Sequence, residues 1–113
     1  MKKINIIKKS EEFTKIIKKR KIINNRFFII YILPKNEKYY RFGISIPTKT
    51  GNSVVRNKLK RQIKSIIDNY NDINKNLDYV IIVKKEIINL KYEDIKEQLL
   101  LLLNKINKEW NNE

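Results

Sequence analysis

The sequence predicts an α+β fold: a single two-layer domain with elements in the order α-β-β-α-β-α and a small sheet packed with helices. Three observations carry this. Runs rich in β-branched and aromatic residues stand at Arg26–Leu33, Tyr39–Ile46 and Tyr79–Val83, and segments with apolar residues at helical spacing precede, separate and follow them. No repeat and no long linker divides the 113 residues, so residues 1–113 read as one domain. Leu, Ile, Val and Phe supply 39 residues, about a third of the chain and above the ~20% below which highly charged sequences stay disordered.

The first helix starts at Ser10, a hydroxyl able to cap free N–H groups, followed by Glu11 and Glu12 at the positive end of the helix dipole. Phe13, Ile16 and Ile17 then share a face. Arg26–Leu33 (RFFIIYIL) is apolar at both parities, which predicts a strand covered on both faces. Pro34, Lys35, Asn36 and Glu37 form a turn, because Pro cannot continue a ladder and Asn tolerates turn geometry. Tyr39–Ile46 alternates Tyr40, Phe42, Ile44 and Ile46 against Tyr39, Arg41, Gly43 and Ser45, a half-buried strand antiparallel to the first.

After a short loop at Pro47–Gly51, Asn52 or Ser53 caps a helix reaching about Tyr70. With Arg56 set at zero and ~100° per residue, Val55, Leu59, Ile63, Ile66, Ile67 and Tyr70 fall between about 260° and 20°. Arg56, Lys60, Lys64, Asn57 and Arg61 occupy about 0° to 140°, so a core face adjoins a cationic one. Asn71–Asn76 is a polar connection, Tyr79–Val83 (YVIIV) a buried strand, and Glu86–Leu90 a turn or short helix. Tyr92, Ile95, Leu99, Leu102, Leu103 and Ile106 then recur at helical spacing up to Trp110.

Charge narrows the partner. Twenty-six Lys and Arg against 12 Asp and Glu leave +14, an excess that calls for an anionic partner. Part of it reflects composition bias, since Ile, Lys and Asn make up 58 residues and Ala is absent. Placement decides the rest: no Asp or Glu occurs from Lys38 through Ile67, whereas a merely solvated helix face mixes signs through i, i+4 pairs. Without Cys or His, disulfides, thiolate or imidazole metal sites and the usual neutral-pH proton shuttle are excluded. Behind the basic start of the chain the apolar stretch Ile4–Ile7, interrupted by Asn5, is shorter than the ~7–15 residues of a secretory segment, and no run approaches the ~20 of a membrane span, so a soluble, cytoplasmic chain with no membrane partner is expected.

The segment Lys49–Lys64, KTGNSVVRNKLKRQIK, is the most informative. Gly51 is expected to allow a sharp entry into a helix whose first N–H groups face outward, with Lys49 just before it, an arrangement suited to phosphate. The predicted nucleic-acid contacts are Lys49, Asn52, Arg56, Asn57, Lys58, Lys60, Arg61 and Lys64; of the basic side chains from Arg56 to Lys64, only Lys58 lies away from the apolar face. A solvated cationic helix in a Lys-rich protein is the alternative reading of the residues alone. Catalytic residues are not evident: phosphodiester hydrolysis needs clustered carboxylates or His–Lys pairs, and Glu11-Glu12 and Glu93-Asp94 are explained as first-turn acids.

The string Gly51-Asn52-Ser53-Val54-Val55-Arg56-Asn57-Lys58-Leu59-Lys60-Arg61 resembles the G-N-A-V-x-R-N-R-x-K-R signature of the protein subunit of bacterial ribonuclease P. The likeness extends to Phe13, Arg26-Phe27, Phe42-Gly43-Ile44-Ser45, Asp78-Tyr79 and Leu90-Lys91-Tyr92-Glu93. It departs at Lys58, where the family has Arg and its planar fork of donors, at Pro47-Thr48, where Ser-Lys is common, and at Ile17, which replaces an aromatic.

The resemblance implies a left-handed crossover in which the motif helix joins neighbouring parallel strands. It also implies two RNA surfaces: the motif helix near a catalytic RNA subunit, and a cleft holding the 5′ leader of precursor tRNA, to which Phe13, Ile17 and Tyr31 correspond. Catalysis would then belong to the RNA and its Mg2+, with no cofactor or metal held by this chain's side chains. From the residues alone, ordinary core packing is the favoured reading of Phe13 and Tyr31. A structural ribosomal-type protein binding rRNA without a substrate is the competing function; a helix-turn-helix DNA-binding protein is disfavoured because the basic helix follows a strand.

Overall fold

A computed structural model describes residues 5–7, 10–18, 21–35 and 37–110; within the first helix the side chains of Ser10, Phe13, Ile17 and Lys18 lie outside the described residues. The elements are α1 (Ser10–Lys18), β1 (Lys21–Asn24), β2 (Phe28–Pro34), β3 (Arg41–Ser45), α2 (Ser53–Asp68), β4 (Leu77–Val83) and α3 (Tyr92–Trp110). Short 3-10 turns occupy Thr48–Thr50 and Lys85–Asn89. Each predicted helix and strand is present, and β1 is an addition. Of the four residues of β1, KIIN, only Ile23 is buried, so neither strict alternation nor an apolar run marks it in the sequence.

The sheet order is β1-β2-β4-β3. Strand β3 runs antiparallel to β2 as expected, yet the two do not pair: β4 lies between them, antiparallel to β2 and parallel to β3. Centrality follows from composition, since LDYVIIV is apolar on both faces apart from Asp78 and six of its seven residues are buried. The parallel neighbours β3 and β4 are joined through α2, as the resemblance implied. Pro34 ends β2 opposite Leu77, a terminal position where a missing N–H is tolerated; the predicted turn begins one residue later, and Asn36 within it lies outside the described residues.

One face of the sheet carries the main core. Phe28, Ile30 and Ile32 of β2, Phe42 of β3 and Leu77, Tyr79, Ile81 and Val83 of β4 pack against Leu59, Ile63, Ile66 and Ile67 of α2 and against Ile95, Leu99, Leu102, Leu103 and Ile106 of α3. Phe42 and Tyr79, directly paired across the strands, stack with ring centroids 4.4 Å apart. Burial drives the Tyr79 hydroxyl well above the usual phenol range, and it donates to the Asn74 carbonyl. The opposite face holds a smaller cluster in which Ile16 of α1 and Ile7 meet Val80, with Tyr31, Leu33 and Ile82 half-buried around them.

Candidate nucleic-acid interface

The cationic surface is built on the entry to α2. Asn52 is the cap, its Oδ1 accepting the Val55 N–H at 3.0 Å. Gly51 is not needed for a special dihedral, as the sequence suggested: its backbone is extended, with φ 164° and ψ −176°. Its small size matters instead, because a Cβ there would lie 2.9 Å from Val55 Cγ1 and 3.1 Å from Val55 Cβ. The Gly51 carbonyl accepts the Arg56 Nε–H at 3.1 Å, which holds the guanidinium beside the first turn. Gly51→Ala should therefore displace Val55 and cost about 1 kcal/mol, at the low end for overpacking because Val55 is only half-buried. Chemical denaturation checks this, and unchanged stability would show that the crowding carries no cost.

The apolar stripe of α2 enters the core as predicted, and the cations stay at the surface: Lys49, Asn57, Lys58, Lys60 and Arg61 are exposed, and Arg56 and Lys64 half-buried at the base of the row. Asp68 in the last turn is the helix's only acid. Lys60 and Lys64 border a small cleft with Ile6, Ile7, Phe42, Gly43 and Ile44. Here the N-terminal segment meets the edge of β3, with Ile7 N–H donating to the Phe42 carbonyl at 2.9 Å. Because Ile7 also belongs to the cluster beneath α1, segment 5–7 connects the α2 cations to the second sheet face. Lys58 stands apart: it lines a different groove, between α2 and the start of α3.

On that second face Tyr31 is half-buried against Ile7, Ile16 and Val80 and lies opposite Ile22 of β1, which is exposed. Phe13 and Ile17 fall on α1, the helix that covers this face; their side chains lie outside the described residues.

An ion-pair cluster fixes α1 here. The Arg41 guanidinium donates twice to Asp78, from Nε at 3.0 Å and from Nη2 at 2.7 Å, and from Nη1 to Glu12 at 2.9 Å. The Lys35 ammonium lies 2.8 Å from Asp78 Oδ1 and 4.1 Å from the centre of the Tyr39 ring. Burial alone would raise the Asp78 carboxyl, but hydrogen bonds and charge from Arg41 and Lys35 outweigh it and leave the group below the ordinary carboxylate value. The hydrogen bond to Asp78 leads the effects that raise Arg41 above its usual range. The sequence places Glu12 as a first-turn acid, Lys35 in a turn and Asp78 among the family-like positions, but does not connect them with Arg41. The available signals were an acid inside an otherwise apolar strand and an Arg on the polar parity of β3.

Sequence and fold both match known proteins. The Ribonuclease P family model matches residues 1–107. The ribonuclease P protein component of Mycoplasma mycoides subsp. mycoides SC is 43% identical over 108 residues, spanning 94% of this chain and 99% of that protein. That of Bacillus cereus is 42% identical over 102 residues, 88% and 89% of the two chains. Among solved structures, a Staphylococcus aureus RNase P protein mutant with defective mRNA degradation activity superposes at TM-score 0.84 with 32% identity, covering 94% of this chain and 90% of that one. The Thermotoga maritima RNase P protein gives 0.81 with 30% identity, covering 88% and 94%. Motif, sheet order and whole-length similarity agree, and the chain belongs to the ribonuclease P protein component family.

Proposed function

We propose that this subunit of the RNase P endoribonuclease binds a catalytic RNA through α2 and grips the 5′ leader of precursor tRNA on the sheet face beneath α1. The observation that carries this is proximity: Lys60 and Lys64, in one row with Arg56, border a cleft with Ile6 and Ile7, and the buried Ile7 shares the packed cluster against which the half-buried Tyr31 lies. Lysines and arginines along such a path track phosphates, while an aromatic ring accepts a stacked base of any identity, a combination suited to a single strand of variable sequence. Lys49, Asn57 and Arg61 extend the contact, Lys58 faces the other flank of the helix, and Asn52 sets the start of the helix that presents the row. The family resemblance assigns Phe13 and Ile17, positions on α1, to the same cleft.

The RNA and its Mg2+ supply the hydrolytic chemistry. Asp78 and Glu12, acids beside the sheet face, are engaged by Arg41 and Lys35 and thereby hold α1 over the leader path. Among the described residues no helix is long and apolar enough to cross a membrane, and we place the activity in the cytoplasm with tRNA maturation. Reconstitution with the RNA subunit of the same organism tests the reading: at low Mg2+ the chain should accelerate 5′ maturation of precursor tRNA. No gain over the RNA alone would favour a protein that binds rRNA without a substrate.

Tyr31→Ala gives a residue-level test. Loss of a stacked base should cost about 1–3 kcal/mol in affinity for precursor tRNA and little for mature tRNA, read at a temperature where both variants are folded. Tyr31 also packs against Ile16, so the melting temperature should fall as well. Equal losses for both RNAs would assign Tyr31 to packing alone.

A further inference from the structure

The second flank of α2 carries a groove that the leader and phosphate surfaces leave unused. Leu59, Ile87 and Ile95 form its apolar floor, all buried, and Ile88 stands at its mouth, 58% exposed. Lys58 rises from one wall and Lys91 from the other, both exposed. Gln62 and the half-buried Tyr92 also line it, and no Asp or Glu does. Lys58 lies ~200° round the helix from Arg56, so it cannot join the phosphate row of Arg56, Lys60 and Lys64.

We propose that this groove receives one unpaired nucleobase of the RNA bound by α2, an inference that rests on the RNA-binding role of that helix. The volume, about 260 Å3, falls below the roughly 300–1,000 Å3 of drug-sized pockets and is too small for a partner helix ~10–12 Å across. It suits a single ring system. A floor of aliphatic side chains selects a flat, uncharged face, and two lysines with no acid on the rim select flanking negative charge. One nucleotide combines both. Gln62 offers an amide donor and acceptor to the base edge, and Tyr92 a ring to lie against it. The base must be unpaired, because a duplex withholds its faces. Asn57 and Arg61, both exposed at about 100° and 140°, fill the arc between the phosphate row and Lys58 at about 200°, so RNA that covers this arc reaches the mouth of the groove.

The test is base-reactivity probing of the RNA subunit at nucleotide resolution, with the full-length chain bound. One unpaired nucleotide should be protected by the wild type and regain reactivity with Ile88→Glu or Lys91→Ala, and RNA affinity should fall roughly tenfold. Both positions are exposed, so folding should be retained, which thermal melts verify. Unchanged protections and affinity in both variants would overturn the proposal. So would a change confined to self-association, which would give the groove to a second copy of the chain. Arg56→Glu with Lys60→Glu is the control: if it too leaves binding intact, the α2 interface fails, whereas loss there alone rejects only the nucleobase groove.

Discussion

Arg56→Glu combined with Lys60→Glu is expected to weaken binding to the RNA subunit by about two orders of magnitude near physiological salt while leaving the fold intact. Lys60 is exposed and Arg56 half-buried, and neither belongs to the apolar stripe formed by Leu59, Ile63, Ile66 and Ile67. Every cation–phosphate pair removed should reduce the log–log salt slope by roughly 0.7–0.9, so the double variant should flatten it by about 1.5 or more, with added repulsion from the new carboxylates. Titrations at several salt concentrations read both quantities. A normally folded variant with unchanged affinity and slope would make the cationic row a solvated surface.

The largest expected effect on stability is at Asp78. Its side chain is 3% exposed and serves Arg41 and Lys35 together, so Asp78→Asn should cost about 3 kcal/mol by leaving Lys35 without its carboxylate and Arg41 with Glu12 alone. The sign of the pH dependence follows from the depressed carboxyl. A group whose folded value lies below its unfolded value of ~3.9 contributes stability above that value, and the contribution disappears as pH falls through the folded value. Wild-type stability should therefore decline as pH drops below about 4, and Asp78→Asn should lack that component of the decline. Denaturant midpoints between neutral pH and pH 3 measure it. Parallel pH profiles for the two proteins would show that the carboxylate does not hold this cluster.

How much was legible depended on how far each feature is local. The α2 faces could be read because helical spacing fixes them: Leu59, Ile63, Ile66 and Ile67 are buried and Lys60 and Arg61 exposed, as their angular positions require. The position of β4 between β2 and β3 could not be read from alternation, which gives the faces of a strand but not its neighbours. Strand β1 escaped because an edge strand with one buried residue has no distinct pattern. Gly51 was recognised for the wrong physical reason: the crowding arises from the Val55 side chain four residues on, not from its own dihedrals. The Arg41–Asp78 pair spans 37 residues, and only parallel registry of β3 with β4 reveals it. Proximity between the two proposed RNA surfaces likewise depends on Ile6 and Ile7 docking at β3, a tertiary contact of a segment whose sequence shows only a short apolar stretch.

The proposed role of this chain is to add leader recognition to an RNA that cuts. It is tested most directly by measuring the affinity of the RNA subunit, with and without the chain, for precursor tRNA carrying its 5′ leader and for the same tRNA without it. At ~1–3 kcal/mol per stacked base, the chain should tighten binding of the leader-bearing RNA about tenfold or more and leave the leaderless RNA nearly unchanged. Equal tightening of both, or of neither, would contradict it.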